Sequence, residues 1–224
     1  MNRFFVEQKQ DNYFLLNKET LKHLQVIRIA DKPFICVYQK EFYKCILENE
    51  KALIIDKLDE NHEFNFEVIL ALSVIKIERF EWALQKATEL GATKIIPVVS
   101  QFTNGELIKY GKFDKKIARF NEIIKNAAEQ SFRNIIPTLL PLTNFNDLVK
   151  NATLPLVLAH EKTNTIDTSW QNKSCILLVG PEGGFSDEEV ALATQRNAKI
   201  ISLGKRILRA ETAALYLLSQ IKET

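Results

Sequence analysis

The amino-acid sequence predicts an α/β fold, with a small β-rich domain at the N-terminus followed by a larger domain built on a parallel sheet. Two observations lead to this class. Short β-rich runs fill the chain up to about residue 70, whereas strand-like and helix-like patterns alternate from about residue 78 to the end of the 224 residues. Such alternation is typical of a parallel sheet covered by helices. The change of pattern predicts two domains, residues 1–72 and residues 73–224.

The N-terminal domain has the pattern of a small antiparallel barrel. Its strand-like runs are "RFFV", "FICVYQ", "YKCIL", "KALIID" and "FEVILAL". Each run is short and bounded by polar residues, as antiparallel strands joined by tight turns usually are. We expect this part of the chain to fold as a separate unit.

Helices and strands alternate in the second domain. The run "ERFEWALQKATEL" predicts a helix that ends at Gly91, with Phe80 and Trp82 in the core, and "KIIPVV" predicts the next strand. A second helix begins at about Phe113, and its apolar residues form one stripe: Phe113, Ile117, Phe120 and Ile124. The remaining predicted elements are strands at "LPLVLA", "SCILLV" and "IISL", a helix that opens at Ser186 and a last helix at "TAALYLLSQI".

Composition excludes several classes of protein. The longest apolar runs are far shorter than the roughly 18 residues that cross a bilayer, and the N-terminus lacks the apolar run of a signal peptide. We therefore expect a cytoplasmic protein without a membrane partner. Cys36, Cys45 and Cys175 are odd in number and show no C-x-x-C spacing, so we expect buried thiols, with neither a disulfide framework nor a metal site.

Basic side chains cluster in two segments, although the net charge is only +2. Residues 109–133 hold seven basic and three acidic residues, and residues 196–210 hold five basic residues and no acidic one. Patches of this kind suit a polyanion. The alternative is an ordinary solvated helix face.

The segment "GPEGGFSDEE" contains three of only seven glycines in the chain, directly after the strand "SCILLV". These glycines are Gly180, Gly183 and Gly184. Ser186 and Glu189 have the S-x-x-E spacing of a capping box, so the glycines lie between a strand and a helix. Glycine adopts positive φ and lets a ligand approach the backbone, which predicts a pocket lined by backbone. The phosphate-loop and dinucleotide motifs are absent and acidic residues are close, so the loop suits a neutral or cationic ligand. The alternative is a structural turn.

A second loop, at the start of "SLGKRILRAETAAL", alternates apolar and basic residues before the last helix. Ile207 and Leu208 are placed to clamp a flat heterocycle. The basic residues, suited to meet charge, are Lys205, Arg206 and Arg209. Arg209 and Glu211 either pair or act on substrate. The alternative is a basic start of a helix with its apolar residues tucked into the core.

These segments together resemble a known family. "LVGPEGGFSDEEV" followed by "LGKRILRAETAAL" is similar to the C-terminal signature of the uridine-N3 methyltransferases of small-subunit ribosomal RNA, the RsmE family of the SPOUT class. Further blocks match in order over essentially the whole chain: "RFFV", "HLQVIRI", "ERFEWALQKATELGATKIIPV" and "NAAEQSFR". The chain departs from the family at Phe132, where a small residue is more common, at "SQFTN", where the family is often basic, and at "ADKPFICVYQ", which lacks a Gly-Asp turn.

The resemblance implies a PUA-like β-barrel that grips RNA over residues 1–72 and a SPOUT domain over residues 73–224, whose last segments form a deep trefoil knot. It also implies a homodimer with S-adenosyl-L-methionine bound in the knot. The implied cofactor-binding residues are Leu158, Ala159, His160, Gly180, Gly183, Gly184, Leu203, Gly204, Ile207 and Leu208. The implied RNA-binding residues are Arg3, Arg28, Lys112, Lys115, Lys116, Arg119, Lys205 and Arg206.

The reaction implied by the resemblance is methylation of N3 of a uridine near the 3′ end of 16S rRNA, presented on an assembled small ribosomal subunit. In-line transfer requires the N3 lone pair to face the methyl carbon at about 3–3.5 Å. The N3 proton must leave, an arginine would stabilise the resulting anion, and a carboxylate would accept the proton. The catalytic candidates are Arg209 and Arg133 for the anion or a phosphate, and Glu211 and Glu129 for the proton or for orientation.

Alternatives stay open for these residues and for the function. Glu129 and Glu211 either act on the proton or only pair with arginines at a dimer interface. His160 either contacts the cofactor or is a satisfied core histidine. Two alternatives also stay open for the function. The first is a knotted RNA methyltransferase that acts on a ribose hydroxyl or on another base, and the second is a non-catalytic RNA-binding assembly protein.

Overall fold

The computed structural model describes residues 1–29 and 32–222, and residues 30 and 31 at the start of "ADKPFICVYQ" lie outside the described residues. The chain forms two compact units, of which the first comprises residues 1–63 and 128–135 and the second comprises residues 64–127 and the chain from residue 136 onward. The predicted boundary after residue 72 falls inside the strand Val68–Ser73 of the second unit. All six residues of this strand are buried, as is typical of parallel strands covered on both faces, so "FEVILAL" does not belong to the N-terminal sheet.

The first unit contains a six-stranded sheet and a helix. Its strands are β1 (Arg3–Phe5), β2 (Lys9–Gln10), β3 (Tyr13–Leu15), β4 (Phe34–Tyr38), β5 (Glu41–Glu48) and β6 (Lys51–Leu58), in the order β1-β4-β5-β6-β3-β2. Neighbouring strands are antiparallel except β1 and β4, which are parallel. The helix α1 (Lys18–Val26) is absent from the sequence prediction. Its first turn is capped by Asn17, whose Oδ1 accepts a hydrogen bond of 2.8 Å from the Thr20 amide.

Aromatic side chains stabilise the first unit. Phe42 is completely buried and stacks on Phe132, with ring centroids 4.6 Å apart. The guanidinium of Arg3 lies 4.6 Å from the centroid of the Phe132 ring. Phe132 has a φ of +61°, in the left-handed region that disfavours side chains. The stack therefore holds a bulky residue at a position where the resemblance leads us to expect a small one.

The second unit is built on a parallel sheet, as predicted. Its strands are β7 (Val68–Ser73), β8 (Lys94–Val99), β9 (Thr138–Leu139), β10 (Thr143–Asn144), β11 (Leu156–Ala159), β12 (Cys175–Val179) and β13 (Lys199–Ile201). The order is β10-β8-β7-β12-β11-β13, with β9 also paired to β8, and every pair is parallel. The carboxyl ends of the strands therefore lie at one edge, where the loops after β11, β12 and β13 meet.

The helices of the second unit follow the predicted pattern, except that one begins later than predicted and one short helix was not predicted. They are α2 (Ile77–Glu89), α3 (Ile117–Gln130, whose last turn belongs to the first unit), α4 (Phe145–Asn151), α5 (Asp187–Gln195) and α6 (Ala210–Leu218). Helix α3 begins at Ile117 rather than near Phe113, because short 3-10 turns occupy residues 105–107, 109–111 and 114–116. The apolar stripe is confirmed, with Phe113, Phe120 and Ile124 completely buried and Ile117 half-buried.

Helix α2 ends at the predicted glycine. Gly91 follows the C-terminal residue Leu90 and has a φ of +89°, and a Cβ at this position would clash with the ring of Phe64. Phe80 is completely buried, as expected. The expectation that Trp82 lies in the core is wrong, because its side chain is 44% exposed. Residues two apart point about 200° away from each other around a helix, so both cannot face one core.

Neither a membrane-spanning segment nor a metal cluster is found in the described residues. Over residues 1–29 and 32–222, no helix has the length and apolar character that a bilayer crossing requires. In the same part of the chain, no group of three His, Cys, Asp or Glu side chains is arranged to hold a metal ion. The three cysteines are free and buried, and burial raises the pKa of the Cys175 thiol to about 11.

Candidate active site

A cavity of about 390 Å³ lies at the carboxyl edge of the parallel sheet. Three segments line it, namely residues 159–161 after β11, residues 179–184 after β12 and residues 203–210 after β13, together with Ala213 of α6. This is the edge at which parallel α/β sheets usually bind ligands. The two loops singled out from the sequence therefore line one cavity, which we call the knot-loop cavity after the knot that the resemblance implies.

The glycine loop approaches its neighbours too closely to carry side chains. A Cβ on Gly180 would lie 3.0 Å from the carbonyl carbon of Gly184, and a Cβ on Gly183 would lie 2.9 Å from Cβ of Phe102. Residues 181–184 form a turn closed by a hydrogen bond of 2.9 Å from the Gly184 amide to the Pro181 carbonyl. Of the three glycines, Gly184 adopts a positive φ of +72°, whereas Gly180 and Gly183 do not. Close packing, rather than backbone conformation, therefore explains the other two glycines.

The capping box predicted at Ser186 is present and holds the glycine loop. Ser186 Oγ accepts from the Glu189 amide, and Glu189 Oε2 accepts a hydrogen bond of 2.9 Å from the Ser186 amide. The second oxygen of this carboxylate, Oε1, accepts from the amide of Gln101 at 2.9 Å. Glu189 is 8% exposed, so the glycine loop and the loop after β8 share one buried carboxylate.

His160 lines the knot-loop cavity, and one polar atom of its side chain is unsatisfied. Its side chain is buried, and its Nδ1 has no hydrogen-bond partner within the described part of the chain. The nearest carboxylate oxygen, Oε2 of Glu161, lies 3.7 Å from Nδ1. Buried polar atoms are normally paired, so the unpaired Nδ1 of His160 is an exception to that rule. The interpretation of His160 as a satisfied core residue therefore does not fit.

The loop after β13 forms the other wall of the knot-loop cavity. Gly204 has a φ of +114°, which glycine adopts freely. Leu208 packs against the core beneath the sheet, whereas Ile207 is 88% exposed. The exposed basic residues of this wall are Lys205, Arg206 and Arg209, and no acidic group of the described chain forms an ion pair with them. Opposite them stand the half-exposed carboxylates of Glu161 and Glu182.

Nine of the ten residues expected to bind the cofactor line the knot-loop cavity. The exception is Leu158, which is completely buried in β11 one residue before the lining begins. The cavity has a backbone cradle, carboxylates and basic groups. It therefore suits a molecule that contains a flat heterocycle and bears both positive and negative charge. The donor set therefore fits S-adenosyl-L-methionine, a cation at sulfur that also bears an amino-acid group.

The catalytic candidates fall into both compact units. Arg209 lines the knot-loop cavity, and Glu211 is buried beside it, 3.7 Å from Nε of Arg79. Arg133 and Glu129 belong to the first unit. Nε and Nη2 of Arg133 donate to both oxygens of Glu63, with a shortest distance of 2.6 Å.

Glu129 is also engaged within the first unit. Its carboxylate accepts a hydrogen bond of 3.2 Å from the Phe5 amide, and its carbonyl accepts from Nε of Arg3. Arg3, an RNA-binding candidate, also donates to the carbonyl of Gln130. These contacts connect β1 to the end of α3.

The other RNA-binding candidates are exposed. Arg28 is exposed just after α1, and Lys112 lies 3.6 Å from Glu106. Arg119 pairs with Glu122 at 3.2 Å, one turn along α3. Lys115 and Lys116 are exposed and form no ion pair with the described acidic residues. The basic segment is thus partly neutralised by its own glutamates, as a solvated helix face would be.

Sequence reasoning missed Glu161, Arg79 and Phe102 around the cavity, and it gave Glu182 only as an acidic residue of the glycine loop. Glu161 and Glu182 line the cavity, Arg79 contacts both Glu182 and Glu211, and Phe102 packs on Gly183. Glu161 directly follows His160, which was predicted, so extending the predicted site by one residue would have included it. Arg79 and Phe102 carried none, because each meets the cavity only through residues about 80 to 130 positions later in the chain.

Ion pairs and a hydrogen bond join the long connection between β11 and β12, residues 160–174, to β13, to the loop after it and to the start of α5. Lys199 of β13 lies 2.7 Å from Oδ2 of Asp167, and the amide of Ser202 donates to the carbonyl of Thr165 at 2.7 Å. Hydrogen bonds from Lys199 and Ser169 hold the pKa of Asp167 well below its usual range. Lys162 lowers the pKa of Asp187, at the start of α5, in the same way.

The chain is similar to known proteins over most of its length. A family model for the RNA methyltransferase domain matches residues 62–222. The protein named ribosomal RNA small subunit methyltransferase E in Mesomycoplasma hyopneumoniae (strain 232) is 41% identical over 225 residues, which cover 98% of each chain. The protein of the same name in Bacillus subtilis (strain 168) is 33% identical over 246 residues, covering 99% of this chain and 96% of that one.

A solved structure extends the similarity to the fold. The crystal structure of a ribosomal RNA small subunit methyltransferase E from Neisseria gonorrhoeae, bound to S-adenosyl methionine, has a TM-score of 0.86 with this chain. The two are 27% identical over 98% of this chain and 95% of that one. With a sequence match over nearly the full length of two relatives, the chain belongs to the ribosomal RNA small subunit methyltransferase E family.

Proposed function

We propose that this protein uses S-adenosyl-L-methionine to methylate N3 of a uridine near the 3′ end of 16S rRNA in the small ribosomal subunit. The observation that carries the proposal is the knot-loop cavity, in which the glycine loop, His160 and the loop after β13 meet at the carboxyl edge of the sheet. Membership of the family supports the same reaction.

The cofactor is proposed to lie between the glycine loop and the loop after β13. Gly180, Gly183 and Gly204 leave backbone groups open to its adenine, and His160 lines the same cavity. The carboxylates of Glu161 and Glu182 favour the positive end of the cofactor. When bound, the cofactor supplies a methyl group activated by the adjacent sulfonium.

Arg209 is proposed to stabilise the uracil anion or to hold a phosphate beside it. It is the N-cap residue of α6 and its side chain makes no capping hydrogen bond. A cation at a helix N-terminus opposes the helix dipole, so its place there is better explained by an anionic ligand than by stability. Glu211, in the first turn of α6 and paired with Arg79, is proposed to orient the base or to accept the N3 proton.

Arg133 and Glu129 are proposed as the second arginine and carboxylate, although their contacts favour a structural role. Arg133 is 3% exposed and forked to Glu63, and a buried pair of this kind resists rearrangement. If they act in catalysis, they must leave these contacts when RNA binds.

RNA is proposed to be gripped by basic residues of both units. The sheet of the first unit is proposed to close as a PUA-like barrel that binds RNA with Arg3 and Arg28, and the second unit is proposed to be the methyltransferase domain. Lys112, Lys115, Lys116 and Arg119 are proposed to meet phosphates, which bind without reading sequence. Lys205 and Arg206 would hold the strand at the mouth of the cavity.

A trefoil knot is proposed for the C-terminal part. After β13 the chain leaves the edge of the sheet and returns as α6, which packs against β12 and α2. The hydrogen bond from Ser202 to Thr165 in the connection 160–174 supports passage of the last segment through that connection. A homodimer in the cytoplasm, where ribosomal subunits are assembled, completes the proposal.

The test combines cofactor binding with product identification. Isothermal titration is expected to show about one S-adenosyl-L-methionine per chain, and Gly183→Val and Leu208→Asp are expected to abolish it. Small subunits prepared without the modification are then incubated with enzyme and cofactor, and their nucleosides are analysed by mass spectrometry. 3-Methyluridine is the expected product. A ribose-methylated nucleoside would point to another knotted methyltransferase, and cofactor binding without any product would contradict the proposed substrate.

A further inference from the structure

Phe102 is an exposed aromatic side chain beside the knot-loop cavity. It is 49% exposed, although phenylalanine normally avoids water. Its own Cβ lies so close to the glycine loop that a Cβ on Gly183 would approach it to 2.9 Å, and Gly183 lines the cavity. Phe102 itself is outside the lining. The ring thus stands at the edge of the cavity, in contact with its glycine wall.

The backbone that carries Phe102 is fixed by several hydrogen bonds. The amide of Thr103 donates to the carbonyl of Ser100 at 3.0 Å, and the amide of Ser100 donates to Oγ1 of Thr103 at 2.9 Å, which closes a tight turn with Phe102 near its tip. The amide of Gln101 donates to the buried carboxylate of Glu189. Below the turn, Oγ of Ser100 lies 3.1 Å from Oγ of Ser73 in β7.

A rigid, half-exposed ring at the edge of an active-site cavity has a direct use in RNA recognition. Enzymes that modify a base take it out of its stack and hold it against aromatic or apolar side chains. The face of an aromatic ring stacks with any base, and each such contact is worth roughly a five- to hundred-fold change in affinity. The basic side chains of Lys205, Arg206 and Arg209 on the opposite wall supply the charge that a nucleotide requires.

We propose that Phe102 is the stacking platform for the target nucleobase or for the nucleotide next to it, and so a substrate-positioning residue. This inference rests on the proposed function, since it takes single-stranded RNA as the ligand. The turn of residues 100–103 then serves to hold the ring at a fixed place relative to the glycine loop. A fixed platform lowers the entropy that must be lost when the base is positioned for transfer.

The test separates the π face from simple packing. Phe102→Trp keeps an aromatic face, Phe102→Leu keeps an apolar contact with Gly183 but no face, and Phe102→Ala removes both. We expect kcat/KM for small subunits to stay within about three-fold of wild type for Trp and to fall about ten-fold or more for Leu and Ala. The dissociation constant for S-adenosyl-L-methionine is expected to change less than about two-fold in all three.

Tyr110→Leu is the matched control, because Tyr110 is an 80% exposed aromatic residue of the same segment. It is expected to leave kcat/KM within about two-fold of wild type. Equal activity of Phe102→Leu and wild type would overturn the inference, as would an equal loss in Tyr110→Leu. A change of oligomeric state in Phe102→Leu, measured by light scattering, would assign the ring to a protein interface instead.

A crosslinking experiment is independent of turnover. Small subunits containing 4-thiouridine are irradiated with the wild-type protein, and the tryptic peptide from Ile95 to Lys109, which contains Phe102, is expected to carry the crosslink. Its absence would overturn the inference. If no methylated nucleoside forms with wild-type protein while this crosslink appears, the proposed reaction fails and the platform stands.

Discussion

Arg79 forms an ion pair with Glu211, in which Nε of the arginine lies 3.7 Å from Oε1 of the glutamate. Glu211 is buried near the start of α6, whereas Arg79, on the first turn of α2, is about one third exposed. The same guanidinium lies 3.5 Å from Oε1 of Glu182 in the glycine loop. One arginine therefore holds a residue of the glycine loop and a catalytic candidate of α6 in fixed positions.

Arg79→Ala is expected to lower both stability and turnover. The change leaves the buried Glu211 carboxylate without its arginine, at a cost of about 1–3 kcal/mol in the free energy of unfolding. We expect the rate of methyl transfer to fall at least about ten-fold at saturating cofactor and to be partly restored in Arg79→Lys. Urea denaturation and single-turnover assays measure the two effects.

Lys86→Ala is the control for Arg79. Lys86 lies on the same helix and pairs with Glu89 at 2.7 Å on the surface, where such pairs contribute at most about 1 kcal/mol. Similar losses of activity in the two variants would show that Arg79 acts only through the stability of α2.

Gly180→Ala is expected to abolish cofactor binding. The added Cβ would meet the backbone carbon of Gly184 at 3.0 Å, and backbone cannot move aside as a side chain can. We expect the affinity for S-adenosyl-L-methionine to fall at least about ten-fold in isothermal titration. Gly105→Ala is the matched control, because its Cβ would find no atom within 4 Å. Unchanged affinity in Gly180→Ala would mean that the glycine loop does not shape the cofactor site.

Glu189→Ala is expected to destabilise the protein more than Ser186→Ala. Ser186→Ala removes one capping hydrogen bond and typically costs about 1 kcal/mol. Glu189→Ala leaves two amides, those of Ser186 and Gln101, without their acceptor, and we expect about 2 kcal/mol or more. The free energies of unfolding, measured by urea titration, show which of the two variants loses more stability. Glu188→Ala, an exposed neighbour, is expected to stay within about 0.5 kcal/mol, and a reversed order would contradict the shared role of Glu189.

Asp167→Asn is expected to reduce stability at neutral pH and to matter less in acid. Lys199 and Ser169 lower the pKa of Asp167 in the folded state, so its contribution is complete above the ordinary aspartate pKa of about 4. That contribution is lost as the pH falls toward the lowered pKa of the folded state. The difference in urea midpoint between wild type and variant should therefore be largest at pH 7 and narrow below about pH 4. A difference that does not depend on pH would exclude the ion pair as its cause.

Glu63→Ala and Arg133→Lys together test whether Arg133 has a structural or a catalytic role. Glu63 accepts hydrogen bonds from Arg133 and from the amides of Asn134 and Ile135, so its loss removes the carboxylate that pairs with a buried guanidinium. We expect a loss of about 3–5 kcal/mol in the free energy of unfolding. If Arg133 is structural, Arg133→Lys should lower stability to a similar extent while folded protein retains its methylation rate. A large loss of rate with intact stability would instead assign Arg133 to catalysis.

Local sequence patterns were enough to find most elements of the second unit. The strand runs, the glycine that ends α2 and the S-x-x-E box of α5 depend on residues a few positions apart, and each lies where it was predicted. Helices α1 and α4 were missed because nine and seven residues give little periodicity to read. The equally short α5 and α6 were predicted from other signals, namely the capping box of α5 and the apolar run of α6. The strand β7 was assigned to the wrong sheet, since a short apolar run does not say which strands it will join.

The site likewise has a part that the sequence predicted and a part that only the tertiary structure decided. The two loops of the knot-loop cavity are contiguous motifs, so their chemistry and their family resemblance could be read directly. The contacts of Arg79 with Glu211, of Glu189 with Gln101 and of Phe102 with Gly183 join segments about 80 to 130 residues apart. No local spacing encodes such contacts, because they exist only after parallel strands bring the carboxyl ends of distant segments to one edge of the sheet.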